Sequence, residues 1–141
     1  MLTMIVGLLL WSHASAAPAH GQTAPPNDDF KNRVRIQAIP FSTTQSTVGA
    51  TLANNEGYWC NTTSSVWFEF TPAESIKVDL DTFGSDYDTV LVVYKGAKIV
   101  SCNNDASLGL RESFLRLDLT AGQTYQIAAG GVAGATGTPC S

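Results

Sequence analysis

Histidine is nearly missing from this chain of 141 residues, and the positions of the two that exist exclude most kinds of catalysis. They are His13 and His20, and both precede the segment in which strand patterns begin. A Ser-His-Asp or Cys-His nucleophile system needs an imidazole in the folded domain, and so does a histidine-ligated metal centre. We therefore predict a protein that is not an enzyme.

Basic residues are also scarce, with eight Lys and Arg against twelve Asp and Glu and a formal net charge of -4. The sequence has no basic stripe that would neutralise phosphates or anionic lipid headgroups. We therefore predict no nucleic-acid partner. The length is enough for one domain of ordinary size and too short for two.

The amino-terminal region contains an apolar run from Met4 to Trp11, followed by small residues that include Ala14 and Ala16. This run is much shorter than the roughly 20 apolar residues that cross a bilayer, and an A-x-A site after such a run is typical of a secretory signal. We interpret 1–17 as a signal peptide, 18–26 as a flexible tether and 27–141 as the domain. The predicted location is extracellular, without membrane insertion.

Three cysteines remain after export, Cys60, Cys102 and Cys140. An oxidising compartment lets one pair close and leaves one thiol over, and one sequence does not decide among the three pairings. We favour a structural disulfide that includes Cys102. The spacing matches no zinc-binding pattern.

Apolar and polar residues alternate in several short runs separated by turn formers, which is the pattern of an all-β sandwich or barrel. No window shows a sustained helical period. Two weaker strands are predicted at 34–41 and 46–53, and the connections TPAE and AGQ have the size of hairpin loops. The run TVLVVYKG is apolar on both faces, which predicts a central strand or one packed under a loop. The inward positions of the clearest runs are Val66, Phe68, Phe70, Ile76, Val78, Leu80, Leu115, Leu117, Leu119, Tyr125, Ile127 and Ala129.

Seven phrases in this order resemble the bacterial pre-peptidase C-terminal domain family. They are PPNDDF, FSTTQSTVGATL, SVWFEFTP, GSDYDTVLVVYKG, SCNND, TAGQTYQIAAGG and GATG. The resemblance implies a jelly-roll-like antiparallel β-sandwich that is appended to a larger secreted protein. Members usually continue into a final strand after the GATG-like phrase. We therefore expect a truncated domain with an open sheet edge beside TYQIAAG.

The resemblance also implies a calcium site, because collagen-binding members of the family bind the ion through an Asn-Asp pair at the linker. Asn27 and Asp28 match that pair, while the segment ahead of SVWFEF offers only Glu56 as an acid. The alternative is that the pair caps the start of the fold.

A second candidate calcium site comes from strand register. A tight hairpin turn at Gly96 and Ala97 places Asp88 opposite Asp105, and a turn shifted by one residue places it opposite Asn103. Opposed carboxylates are destabilising unless a cation lies between them, and calcium takes six to eight oxygen ligands. Asp86, Asp88, Asn103 and Asp105 are therefore candidate ligands. The alternative is that these side chains form Asx turns with nearby backbone amides.

Two further features bear on function. Asp79 and Asp81 lie on one strand face with alpha carbons about 6 to 7 Å apart. This separation is in range for a glycosidase acid and base pair, but such spacing is also normal for a solvated strand face.

Tyr58 and Trp59 lie in a loop rich in Asn and Gly. Paired aromatic residues in such a loop either stack on a ligand or cover the end of the domain.

We therefore expect a secreted, non-catalytic accessory domain that binds an extracellular polymer or protein. The alternative is a structural spacer or folding module without a ligand of its own. The sequence predicts calcium as the one candidate cofactor.

Overall fold

The computed structural model describes residues 23–52 and 59–132. Within these ranges the protein is all-β, as predicted, and its helical segments are two single 3-10 turns, Phe30–Asn32 and Trp59–Asn61. Seven strands form two sheets. They are β1 (Val34–Ile36), β2 (Thr62–Phe70), β3 (Ile76–Asp81), β4 (Thr89–Lys95), β5 (Lys98–Asn103), β6 (Phe114–Leu119) and β7 (Tyr125–Val132).

The larger sheet has the order β1-β2-β7-β4-β5 and the smaller sheet pairs β3 with β6. The larger sheet is mixed, because β1 runs parallel to β2 with Val34 opposite Phe68. The prediction of purely antiparallel sheets is therefore wrong at this edge. Of the two weaker predicted strands, the first shortens to β1. The second has no strand over its described part, because a turn interrupts it: Ala50 donates its backbone N–H to the Thr47 oxygen at 3.0 Å, and Gly49 has a φ of 78°.

The two sheets pack face to face across one apolar core, and the predicted alternation of inward positions is confirmed. Val66 and Phe68 of the larger sheet meet Leu115 and Leu117 of the smaller sheet, and all four are at most 8% exposed. Burial of such side chains is the main favourable term in folding. The inward residues of β3 are only half-buried.

The short connections were predicted to be hairpins, and this prediction is wrong. TPAE joins β2 to β3 and AGQ joins β6 to β7, so each loop crosses from one sheet to the other. The reason is that the apolar face of each strand must cover the face of the other sheet, and loop length does not distinguish a hairpin from such a crossing.

The open edge expected beside TYQIAAG is also absent from the described structure, because β7 lies between β2 and β4 and pairs with both. Gly130 allows this central position. A side chain there would place its beta carbon 1.9 Å from the backbone oxygen of Ser64 on β2. The edge strands of the two sheets are instead β1, β5, β3 and β6.

The prediction for TVLVVYKG is confirmed, since β4 lies inside the larger sheet and is buried on both faces. Leu91 and Val93 enter the core between the sheets. Val90 and Val92 join a second apolar cluster on the outer face, where Trp67 is 4% exposed. This outer cluster is covered partly by Phe30, whose ring lies edge-on to the Trp67 ring with 5.0 Å between centroids.

The predicted hairpin between β4 and β5 is present, but its register changes along its length. Gly96 has a φ of +60°, as primed hairpin turns require, and Lys95 lies opposite Lys98. A bulge between Val93 and Tyr94 then shifts the pairing by one residue, so that Leu91 lies opposite Asn103. Bulges insert an extra residue on one strand and are not visible in hydrophobic alternation.

Candidate functional site

The topology brings most of the predicted site residues to one end of the two-sheet core, which we call the loop end. Strand β2 begins there with Thr62 opposite Val132, and β4 begins there with Thr89 opposite Gly131. Strand β5 finishes at the same end with Asn103. The loop end thus combines the segment at Trp59 with the segments at 86–88 and 103–105.

Trp59 is 51% exposed at the loop end. None of the ring contacts among the described aromatic residues involves it. Its backbone oxygen accepts a 2.6 Å hydrogen bond from the Thr62 hydroxyl, which ties the segment to the start of β2. Tyr58, the second predicted aromatic ligand, lies outside the described residues.

A disulfide fixes the chain directly after Trp59. Cys60 is bonded to Cys102 on β5, with 6.3 Å between alpha carbons, which confirms that the structural disulfide includes Cys102. Cys60 and Asn61 have φ values of 50° and 67°, a left-handed conformation that few residues other than glycine adopt. The disulfide and this backbone geometry restrict the conformations available to Trp59. Cys140 lies outside the described residues.

The predicted opposition of Asp88 to Asp105 or Asn103 is wrong, because the unpaired Val100 in β5 shifts the register and the ladder ends at Leu91 opposite Asn103. The Asp88 backbone oxygen instead accepts a 3.2 Å hydrogen bond from Val132 on β7. Its side-chain Oδ1 is buried without a hydrogen-bond partner among the described residues, and so is the Oδ1 of Asn104. Buried oxygen atoms of this kind usually have a partner.

Asn103 is occupied by the protein itself. Its Nδ2 donates a 3.0 Å hydrogen bond to the backbone oxygen of Asp105, and its Oδ1 accepts one of 3.0 Å from the backbone of Phe114. This is the local side-chain pairing of the alternative to a calcium ligand. In the described ranges, no three His, Cys, Asp or Glu side chains converge as a metal site. Calcium binding that involves Asp86 and Asp88 stays a prediction.

Asn27 and Asp28 lie elsewhere, in the segment ahead of β1 that runs beside β2 at Trp67. Asn27 is 2% exposed, and its Nδ2 donates a 3.1 Å hydrogen bond to the backbone oxygen of Trp67. The Asp28 carboxylate accepts the backbone N–H of Thr51 at 2.6 Å and the Thr51 hydroxyl at 3.0 Å. Both side chains thus anchor the entry segment to the fold, in agreement with the capping interpretation.

The candidate carboxylate pair of a glycosidase is engaged in structural contacts. Arg116 donates two 2.7 Å hydrogen bonds to the two oxygens of Asp79, and this contact holds the pKa of that carboxyl below its usual value. Asp81 accepts a 3.2 Å hydrogen bond from the backbone of Phe83. A carboxyl that is kept ionised in this way is a poor general acid.

A buried network of three hydroxyl groups near the loop end was not predicted from the sequence. The hydroxyls of Thr82 and Thr89 lie 2.6 Å apart, and the Ser113 hydroxyl donates toward the backbone oxygens of Thr89, Asn103 and Asn104 at 2.8 to 3.1 Å. Ser113 has no exposed surface. No alternation pattern marks a buried serine at a strand end, so the sequence carried no signal for it.

A second missed feature is a buried carboxylate on the outer face of β2. Glu69 is 7% exposed and lies between two guanidinium groups, 2.5 Å from Arg33 and 2.6 Å from Arg35. Because Arg35 lies opposite Glu69 in the parallel ladder, this cluster holds the short strand β1 against β2. Its position away from the loop end indicates a structural role.

No family model, curated protein or solved structure matches the chain. Among the helical segments that the structure describes, none has the length and apolar character needed to cross a membrane.

Proposed function

We propose that this chain is a secreted, non-catalytic accessory domain that uses the loop end to bind an extracellular polymer or protein. The observation that carries the proposal is Trp59, a large aromatic side chain that is half exposed on a segment fixed by the Cys60–Cys102 disulfide. Aromatic rings held rigidly at a surface bind sugar rings or protein partners at low entropic cost.

The backbone next to Trp59 is also unusual, because Cys60 and Asn61 hold a left-handed conformation. Unusual backbone geometry of this kind is concentrated at binding sites.

The finer assignment is to the pre-peptidase C-terminal domain family, with a jelly-roll connectivity and a larger secreted parent protein. Its support is the order of the seven sequence phrases together with two face-to-face sheets. Within this proposal the parent protein supplies any catalysis. The Arg116 contact on Asp79 disfavours a hydrolase that uses Asp79 as its acid.

The experiment is a pull-down of the full chain on collagen, chitin and cellulose, with Trp59→Ala as the test variant. The matched control is Phe83→Ala, because Phe83 is also a half-exposed aromatic residue, at 46%, but stacks on Phe114. We expect one of the three matrices to retain the wild type and the Phe83 variant but not the Trp59 variant.

Two outcomes would contradict the proposal. Retention that survives Trp59→Ala would remove Trp59 from the site. Absence of retention on every matrix would favour the spacer alternative, in which the domain separates other parts of its parent protein without a ligand.

A further inference from the structure

Strand β3 carries an edge and a face that the described structure leaves incompletely covered. It pairs with β6 alone, and its ladder is regular from Ile76 opposite Leu119 to Asp81 opposite Phe114. The inward leucines of β6 are 5 to 8% exposed, whereas Ile76, Val78 and Leu80 on β3 are only half-buried. Among the residues that the structure describes, no further strand pairs with the other edge of β3.

An apolar cavity of about 450 Å³ lies between the sheets on this side. Val78 and Leu80 line it from β3, and Phe70 lines it from β2. Ile39 and Phe41, which are 49% and 43% exposed, complete its rim. An added strand that continued the smaller sheet would place its own inward side chains over this rim.

The order of charged side chains on the outer face of β3 favours one partner strand in one register. Lys77 lies opposite Asp118 on β6, and Asp79 lies opposite Arg116. The outer face of β3 thus presents one cation and two anions at alternate positions, Lys77, Asp79 and Asp81. Unpaired sheet edges of this kind recruit further strands unless the side chains prevent it.

A second copy of β3 fits this edge in one antiparallel register, centred on Val78. Lys77 then lies opposite Asp79 of the second copy, and Asp79 lies opposite Lys77 of the second copy. Each row of side chains across the four strands then alternates between negative and positive charge. One row runs from Asp118 and Lys77 of one copy to Asp79 and Arg116 of the second copy. Opposite charges directly across two strands stabilise their pairing.

Neighbouring registers are less favourable. A register centred on Lys77 places Lys77 opposite its own copy and forms no Lys-Asp pair. A register centred on Asp79 forms two pairs between Lys77 and Asp81 but also places Asp79 opposite its own copy. The register centred on Val78 has two Lys-Asp pairs and no like-charge pair, because Asp81 then lies opposite Ser75. Like charges directly opposed are destabilising. A shift by one residue would turn the apolar side chains of the second copy to the solvent face.

We propose that the chain forms a symmetric dimer through antiparallel pairing of β3 with β3 of a second copy, in the register centred on Val78. The pairing joins the two smaller sheets into one four-stranded sheet and covers the apolar rim at Ile39 and Phe41. A two-fold axis through Val78 makes the interface self-complementary, as closed dimers require. The loop end does not take part in the pairing.

The primary measurement is sedimentation equilibrium of the full chain, which reports the dimer as twice the 15.0 kDa mass of one copy. We expect a dissociation constant of about 1–100 μM, because a single added strand pair is a small interface. Lys77→Asp replaces both interchain Lys-Asp pairs by Asp-Asp pairs, and Asp79→Lys replaces both by Lys-Lys pairs. Each variant alone should weaken dimerisation by about tenfold or more.

Mixing the two variants separates the proposed register from a general effect of charge. One copy with acidic residues at both 77 and 79 and one copy with basic residues at both positions restore both favourable pairs, so an equimolar mixture should form heterodimers about as strongly as the wild type. The matched control is Asp118→Lys, which puts a like charge beside Lys77 within one copy but lies away from the free edge. This control should leave the dimer intact, and circular dichroism checks that each variant is folded.

A monomeric wild type over the whole concentration range would overturn the proposal. A Lys77→Asp variant that dimerises as well as the wild type would also overturn it. So would folded Lys77→Asp and Asp79→Lys variants that stay monomeric when mixed, since the register centred on Val78 requires them to pair.

Discussion

Replacement of Ser113 by alanine tests how the loop end is held together. The Ser113 hydroxyl lies 2.8 Å from the backbone oxygen of Thr89 on β4, 2.9 Å from that of Asn104 and 3.1 Å from that of Asn103 on β5. It also accepts a 3.2 Å hydrogen bond from the Thr89 hydroxyl. One side chain at the start of the smaller sheet thus bonds to two strands of the larger sheet.

The expected cost follows from the burial of these partners. A hydroxyl has one proton, so the serine satisfies at any moment one of the three carbonyl oxygens and accepts one bond from Thr89. Removal of one partner of a buried hydrogen bond costs about 1–3 kcal/mol because the remaining group is left desolvated. With a buried acceptor and a buried donor both affected, we expect Ser113→Ala to lower the free energy of unfolding by about 2–3 kcal/mol.

Urea unfolding monitored by circular dichroism measures this change, and thermal melting checks it. A loss of this size lowers the melting temperature by roughly 8–15 °C in a domain of about 100 residues. The matched control is Ser107→Ala, since Ser107 is an exposed serine in the loop between β5 and β6. A change below about 0.5 kcal/mol for Ser113→Ala, the range of ordinary surface substitutions, would refute the network as a source of stability.

Two further predictions concern the same end of the molecule. The Cys60–Cys102 disulfide joins residues 42 positions apart. Its reduction should lower the free energy of unfolding by about 4 kcal/mol, because the unfolded chain then gains conformational entropy. An unchanged urea midpoint in the presence of reductant would contradict this. Calcium at tenfold its dissociation constant should stabilise the wild type by about 1.4 kcal/mol but should not stabilise Asp88→Asn. A melting temperature that does not respond to millimolar calcium would remove Asp88 from consideration as a ligand.

Side-chain alternation predicted the local structure well because it depends on the period of the backbone alone. The runs at Val66, Ile76 and Leu115 have the inward faces that the pattern indicates. Burial on both faces of β4 also follows from composition, since a strand with valine on both sides needs cover on both sides.

The partners of each strand were not predictable in the same way. A connection of four residues fits both a hairpin and a crossing between sheets, so the separation of β2 from β3 carries no local signal. The central position of β7 depends on the close approach of Gly130 to Ser64, which involves residues 66 positions apart in the chain.

The candidate site shows how one backbone irregularity changes a site prediction. The turn at Gly96 was predicted correctly, and the register at Lys95 and Lys98 agrees with it. The extra residue Val100 in β5 then shifts the register, so that Asp88 lies opposite neither predicted partner. A site that depends on facing residues is thus sensitive to every inserted residue between the turn and the site.

In the described structure, the interactions that hold the loop end together lie close in the chain to Trp59, the exposed residue that we propose for ligand binding. The Cys60–Cys102 disulfide and the Ser113 network both join strands at the loop end, and Trp59 lies directly before the disulfide. A surface that binds through an aromatic ring gains affinity when the ring is already held in place. The conformational entropy of the ring is then lost during folding and not during binding. If Trp59 is the ligand contact, breaking the disulfide should weaken binding in a protein that is still folded. Binding that is equally strong with and without the disulfide would mean that this rigidity serves stability alone.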